Sequence, residues 1–259
     1  SVSEGARALC YYAAYCHDRM HIEGQTGSKT WMHQLEVLTP LVKAWSSDEA
    51  FKVAELGIQV HGGYGYIREY GMEQILRDAK IGSIYEGTNG VQALDLIGRK
   101  LAKGGGVMLM TLLNEINRYV NGSTEESFFY SEVQELAKAR DAVAATAMEF
   151  AKRSMKGDIA YSALHATPFL QMMGDLVVGW LLLRHAEVAR ELYEARLRAR
   201  DVDDHDEDLG KVLEDDDEAR YLHGKIASAH FFVHQVLPRV HARQAAVRSD
   251  DRSALTVVL

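Results

Sequence analysis

The chain has 259 residues, 47% of them hydrophobic, 8% aromatic and 25% charged, with three prolines and two cysteines. That composition suits a globular chain long enough for one or two cored domains, rich in helix formers and poor in β-branched runs. The net charge of −8 is uneven: residues 201–218 carry eleven acids against one lysine, leaving the remainder at about +2, which excludes a basic nucleic-acid-binding face, while two cysteines exclude a disulfide framework.

Residues 1–21 show helical periodicity through Ala8, Tyr11, Tyr12, Tyr15 and Met20,. Cys10 and Cys16, six apart in that helix, read as reduced, buried thiols of a cytoplasmic protein,. Gly24, Gly27 and Ser28 predict a loop at about 22–29, followed by a helix over about 32–45 that kinks or restarts at Pro40,. Ser46-Ser47-Asp48-Glu49 predicts a capping box opening a helix to about Val60, which Gly62, Gly63 and Gly65 then stop,. A short helix over about 72–81 leads to a turn at Glu86, and a helix over about 89–103 ends at Gly104, Gly105 and Gly106,. Further helices are predicted near 107–120, 131–155, 158–199 and 218–247, the third broken at Pro168 and the last bent at Pro238,. The apolar stretch 169–183 contains Gln171 and Asp175, is too short to span a bilayer, and reads as a buried core helix,. No strand pattern, internal repeat or signal-peptide pattern is visible,. The expected fold is all-α, an antiparallel helix bundle over 1–103 with an additional C-terminal helical region over 104–259 that carries a solvated acidic loop at 201–218.

Residues 81–92 hold a single charge, Glu86. A carboxylate in apolar surroundings at a helix start suits a general base, because burial raises its pKa toward neutrality. Gly87 lets another molecule approach the backbone closely, and Thr88 can cap the helix that follows,. Alone, Tyr85-Glu86-Gly87-Thr88 is better read as a half-exposed glutamate beside a turn,. His230 and His234 form an i, i+4 pair, and His223 and His241 extend the stripe; with no carboxylate or cysteine between them, no metal is expected,.

The segments upstream change the weight of that reading. Gln59, Gly62, Gly63 and Gly65, then Arg77-Asp78-Ala79-Lys80-Ile81, then Ile84-Tyr85-Glu86-Gly87-Thr88, in this order and spacing, resemble the C-terminal helical domain of the acyl-CoA dehydrogenase family. The resemblance is strong over 31–103 and weaker over 1–21. Residues 104–259 resemble the extra helical region of a long bacterial branch that includes 3-methylmercaptopropionyl-CoA dehydrogenases and broad-range acyl-CoA dehydrogenases. It implies an FAD-dependent α,β-dehydrogenation of an acyl-CoA thioester in fatty acid metabolism, with Glu86 taking the α-proton while a hydride leaves the β-carbon for flavin N5. The thioester oxygen would be held by the backbone N–H of Glu86 and a flavin ribityl hydroxyl, with Gly87 keeping bulk away from the substrate. Gln59, Gly62 and Gly63 would contact the FAD of a neighbouring subunit. Thr88, Asn89 and Gly90 would form a second flavin-contacting stretch, with Gly90 standing where many members carry glutamine. The implied partners are the remaining N-terminal part of the same enzyme, further copies in a homodimer or higher oligomer, and an electron-transfer flavoprotein. An acyl-CoA oxidase of the same fold is one alternative, separated by comparing flavin reoxidation by air and by an electron-transfer flavoprotein. A non-catalytic helical interaction module using the acidic loop is the other, supported by a pull-down that depends on 201–218 and survives Glu86→Gln.

Overall fold

Helix α1 (Val2–Ile22) turns Gly5, Ala8, Leu9, Tyr12, Ala13 and Cys16 inward, the three- and four-residue steps of one apolar stripe,. This computed structural model describes residues 1–202 and 209–257, with residues 24–28 and 103 described in backbone only. The chain reverses at Glu23, and α2 (Gly24–Pro40) begins inside the segment whose glycines predict a loop. Tyr12 donates to Gln34 Oε1 at 2.5 Å and Tyr15 meets Trp31 edge to face, so the two helices run antiparallel. That packing outweighs the local glycine signal. After Pro40 the chain does not break; a π-helical turn over 41–45 re-registers the ladder from which the proline N–H is missing,. The turn runs straight into α3 (Ser46–His61), so the expected capping box does not form. Ser47 instead donates to the Ala44 carbonyl at 3.3 Å, and Glu49 is buried and paired with Lys52 and Arg239. Gly62 ends α3 at a φ of +59°, and short 3-10 turns lead to α4 (Met72–Ile81),. Helix α5 (Asn89–Asp95) continues through a π turn at 96–101 to the three glycines at 104–106.

The second half comprises α6 (Val107–Gly122), α7 (Tyr130–Met155), α8 (Ile159–Leu164), α9 (Ala166–Arg198), α10 (Leu209–Asp215), α11 (Asp217–Phe231) and α12 (Arg239–Arg248). No strand occurs among the described residues. The break expected at Pro168 falls at His165 instead, and Pro168 sits in the first turn of α9, where a backbone N–H lacks an intrahelical acceptor anyway,. The bend at Pro238 does occur, between a π turn at 232–236 and α12. Residues 169–183 are buried on every side of α9, which packs against α1, α5, α7, α11 and α12. This helix is long and apolar enough to cross a membrane, but 89% of its apolar window is buried inside the chain, which makes it the core helix. It runs antiparallel to α7 (Phe150 faces Phe169, Leu136 faces Gly179), to α11 and to α12, so α7 lies parallel to the last two.

The extension packs onto the first region around one continuous core. Tyr12 meets Trp180 edge to face, Trp45 Nε1 donates to Asp175 at 2.8 Å, Gln171 donates to Asp48 at 2.8 Å, and Lys225 pairs with Glu4. Cys10 is exposed, against the expected burial, while burial pushes the Cys16 thiol up to about 11; both are free.

The acidic run departs from the expected solvated loop. Residues 203–208 lie outside the described residues, but α10 buries Val212, and Asp216 is itself buried. Asp216 caps α11 by accepting from the N–H groups of Glu218 and Ala219, at 3.0 Å each, and braces Arg196 and Arg200. The Arg196 guanidinium and the capped N–H hold its carboxyl down at about 2. Because the folded value lies below the unfolded one, this contribution is complete above pH ~4 and is lost as pH falls from about 4 to about 2. Asn also caps helices well, so Asp216→Asn isolates the charge. Its unfolding midpoint is expected to lie below wild type at neutral pH and to converge with it in acid. A constant gap across that range would show that the ion pairs contribute nothing.

Candidate active site

The loop between α4 and α5 is built from backbone turns. Ile84 and Tyr85 both donate their N–H to the Ile81 carbonyl, at 2.9 and 3.1 Å, closing the end of α4. The chain then passes through two successive left-handed residues, Glu86 at φ +54° and Gly87 at φ +82°. Gly87 adopts this freely, and a Cβ there would also stand 3.0 Å from Gln92 Nε2,. Glu86 carries a Cβ, and holding such a residue in this region costs on the order of 1–2 kcal/mol. The surrounding bonds keep it there. Gln92 Nε2 donates to the Glu86 carbonyl at 3.4 Å, Thr88 Oγ1 accepts from Val91 N–H at 3.3 Å as the expected N-cap, and Asn89 N–H donates to the Ser83 carbonyl at 3.1 Å.

Asn89 is the anchor of this loop. Its side chain is buried, accepts from Lys43 Nζ at 2.7 Å, and donates to Asp48 Oδ1 at 2.6 Å and to the Ala44 carbonyl at 3.1 Å. Asp48 in turn accepts from Gln171, so the anchoring reaches the core helix α9. The polar atoms of the Asn89 side chain are thus engaged within the chain, which leaves the backbone of this stretch to meet any cofactor. Sequence reading missed Lys43, Asp48 and Gln171 because they lie 46, 41 and 123 residues from their partners, beyond any local pattern.

Glu86 is exposed, as are Gly87, Thr88 and Gly90, so the apolar enclosure expected around the carboxylate is not supplied by this chain. The loop sits on the rim of the fold, and its neighbours Ile84, Tyr85 and Val91 are about half exposed. The same surface extends over α3 and α4. Val60 is 85% and Tyr66 78% exposed, Leu56, Ile75 and Ile81 are exposed too, and α4 buries none of its residues. Large apolar side chains left exposed on successive elements point to a site of contact with something else.

Gln59, Gly62 and Gly63 lie at the exposed end of α3, beside the start of α4, whereas the loop leaves the end of α4 beside the start of α3. A Cβ built at Gly62 or Gly63 would meet nothing within 4 Å, so the backbone is open to approach; the positive φ belongs to Gly62. His61 is local, its Nδ1–H donating to the Gly57 carbonyl at 2.9 Å, and Arg77 pairs with Glu73 at 3.8 Å. At the end of α11, the His230/His234 pair does meet a carboxylate, contrary to the reading of the stripe alone: Glu132 of α7 reaches both.

Comparison with known proteins yields two family matches. Residues 112–257 match "Acetyl-CoA dehydrogenase C-terminal like", and residues 3–102 match "Acyl-CoA dehydrogenase, C-terminal domain". Among curated relatives, the chain is 33% identical to 3-methylmercaptopropionyl-CoA dehydrogenase of Ruegeria pomeroyi, over 100% of this chain and 41% of that protein. It is 30% identical to the broad-specificity linear acyl-CoA dehydrogenase FadE5 of Mycobacterium tuberculosis, over 98% of this chain and 40% of that protein. The chain therefore spans about 40% of the length of these relatives. Caenorhabditis elegans ACDH-11, solved in complex with C11-CoA, shares the fold at a TM-score of 0.60 and 20% identity, over 96% of this chain and 38% of that one.

Proposed function

Because the chain belongs to the acyl-CoA dehydrogenase family, we propose that it is the C-terminal portion of a cytoplasmic, FAD-dependent enzyme that dehydrogenates an acyl-CoA thioester between its α- and β-carbons, with Glu86 as the general base. Residues 1–103 then carry the catalytic loop as part of the family's C-terminal helical domain, and 104–259 form an extension that braces it. The observation that supports this most is the backbone of Glu86, held left-handed at φ +54° by three separate ties on an apolar rim. Strain of this kind gathers at functional sites, where the surrounding structure over-determines it. The Glu86 carboxylate takes the α-proton, its own N–H helps hold the thioester oxygen as charge develops there, and Gly87 leaves room for the substrate. The remaining N-terminal part of the enzyme covers the apolar rim, and that enclosure gives Glu86 the low-dielectric surroundings a base requires.

The residues present fit FAD at one end of this surface. The open backbone at Gly62 and Gly63 and the exposed amide of Gln59 offer donors for phosphate oxygens of the FAD of a neighbouring subunit, which requires at least a dimer,. Thr88 and Gly90 approach through backbone, while Asn89 positions the loop. Bound FAD would accept the β-hydride at flavin N5, and an electron-transfer flavoprotein would then take the electrons. Purified together with the N-terminal part, the protein is expected to be yellow. Gly63→Val should lower FAD retained per chain and leave the unfolding midpoint unchanged, because nothing in the chain opposes a side chain at that position. Gly62→Val should lower both, since a branched residue is strained at φ +59°,. A colourless protein that takes up no added FAD would overturn the proposal, and unchanged FAD affinity in Gly63→Val would remove the phosphate role.

A further inference from the structure

Glu132 stands in the first turn of α7 with a side chain 5% exposed. Its Oε1 lies 2.8 Å from His230 Nδ1 and 3.0 Å from His234 Nε2. His230 closes α11 and His234 lies four residues on in the π turn, and their rings stack with an interplanar angle of 5°. Two nitrogens thus converge on one oxygen that is 98 and 102 residues away in sequence. The second carboxylate oxygen is held by Ser131 Oγ at 2.8 Å, and the Phe128 and Phe129 rings flank His230. A carboxylate this buried needs compensating charge. Its ion-pair partners are the two imidazoles.

We propose that Glu132, His230 and His234 form a binding site for one divalent transition-metal ion, zinc by its match to two imidazole nitrogens and a carboxylate oxygen, which clips the start of α7 to the end of α11. The three ligand atoms lie within 4.8 Å of one another. A tetrahedral ion with bonds of about 2.0–2.2 Å places its ligands roughly 3.4 Å apart, so Oε1 has to draw back from each nitrogen by about half an ångström while the two imidazoles swing together around the ion. Ser131 fixes the carboxylate in the manner of the outer partners that orient metal ligands,. The two histidines, 36% and 48% exposed, open the site to solvent on the side that Glu132 leaves free, and water fills the fourth position. Each imidazole binds the ion through the nitrogen that faces Glu132 and keeps its ring proton on the other nitrogen, any proton in excess leaving to solvent. His223 stays outside the cluster, packed against Tyr193.

Zinc titrated calorimetrically at neutral pH into chelator-stripped protein is expected to bind one ion per chain and to raise the unfolding midpoint to a plateau. His234→Ala, a change at the most exposed ligand, should weaken zinc binding at least tenfold. It should also abolish the d–d bands of a four-coordinate Co2+ complex, and remove the rise in unfolding midpoint that zinc gives the wild type. Glu132→Gln should weaken binding by as much, and His223→Ala should leave it intact. Absence of saturable one-to-one binding in the wild type, or wild-type affinity in His234→Ala, would overturn the site. Neither result touches the role of Glu86, which shares no contact with these three residues.

Discussion

Glu86→Gln is expected to lower turnover of an acyl-CoA substrate by about 10³-fold or more in the assembled, FAD-loaded enzyme. The change removes the only group in residues 81–92 able to accept a proton as a carboxylate. It keeps side-chain length and shape, and the loop's ties do not depend on the carboxylate. Gln92 bonds the residue 86 carbonyl, Thr88 caps α5, and Asn89 is anchored by Lys43, Asp48 and Ala44. Flavin content per chain and the unfolding midpoint should therefore match wild type, which separates loss of the base from loss of the site. Glu86→Asp should retain part of the activity, since Asp tolerates the left-handed region better but falls one methylene short. A Glu86→Gln enzyme that turns over near the wild-type rate would remove Glu86 from the mechanism.

The largest stability effect is expected at Asp175. Its side chain is fully buried on the core helix, where Oδ1 accepts from Trp45 Nε1 at 2.8 Å and Oδ2 pairs with Arg243. The neighbouring Gly174 has no room for a Cβ, which would run into the Trp45 ring, so the indole is held against α9 from two sides. Asp175→Ala leaves a guanidinium and an indole N–H without their buried acceptor. It should cost about 3–5 kcal/mol, a fall in Tm of roughly 10 °C for a chain of this size. Because Trp45 belongs to the first region and Arg243 to the last helix, both regions should lose stability together. Asp175→Ala with Arg243→Ala should cost less than the sum of the two, as expected for groups in direct contact. Denaturant titration of the set gives the numbers, and a loss below about 1 kcal/mol in Asp175→Ala would show that the pair is not part of what holds the regions together.

What the chain declares locally was legible from local patterns. The N-cap at Thr88, the stops at Gly62 and at 104–106, the short helix over 72–81 and the core character of 169–183 each depend on a few neighbouring residues, and all appear in the structure. Where reading failed, a long-range contact outweighed a local preference. Gly24 and Gly27 read as a loop, but pairing of Tyr12 with Gln34 carries the helix through them. Asp216 read as one acid of a solvated run, but Arg196 and Arg200 draw it into the fold.

The sequence alone determined the all-α class, the family resemblance and the choice of Glu86 as the residue to test, because helical period, glycine punctuation and motif order are all written within short windows. Only the tertiary structure decided how Glu86 is held, since its left-handed backbone depends on Gln92, Asn89 and, through Asp48, on Gln171 of the core helix. It alone brought Glu132 to the two histidines, from positions 98 and 102 residues away. It also left Glu86 on an exposed apolar rim. Burial and pairing are properties of surfaces that meet in space, and a linear pattern records which residues want company without recording which ones find it.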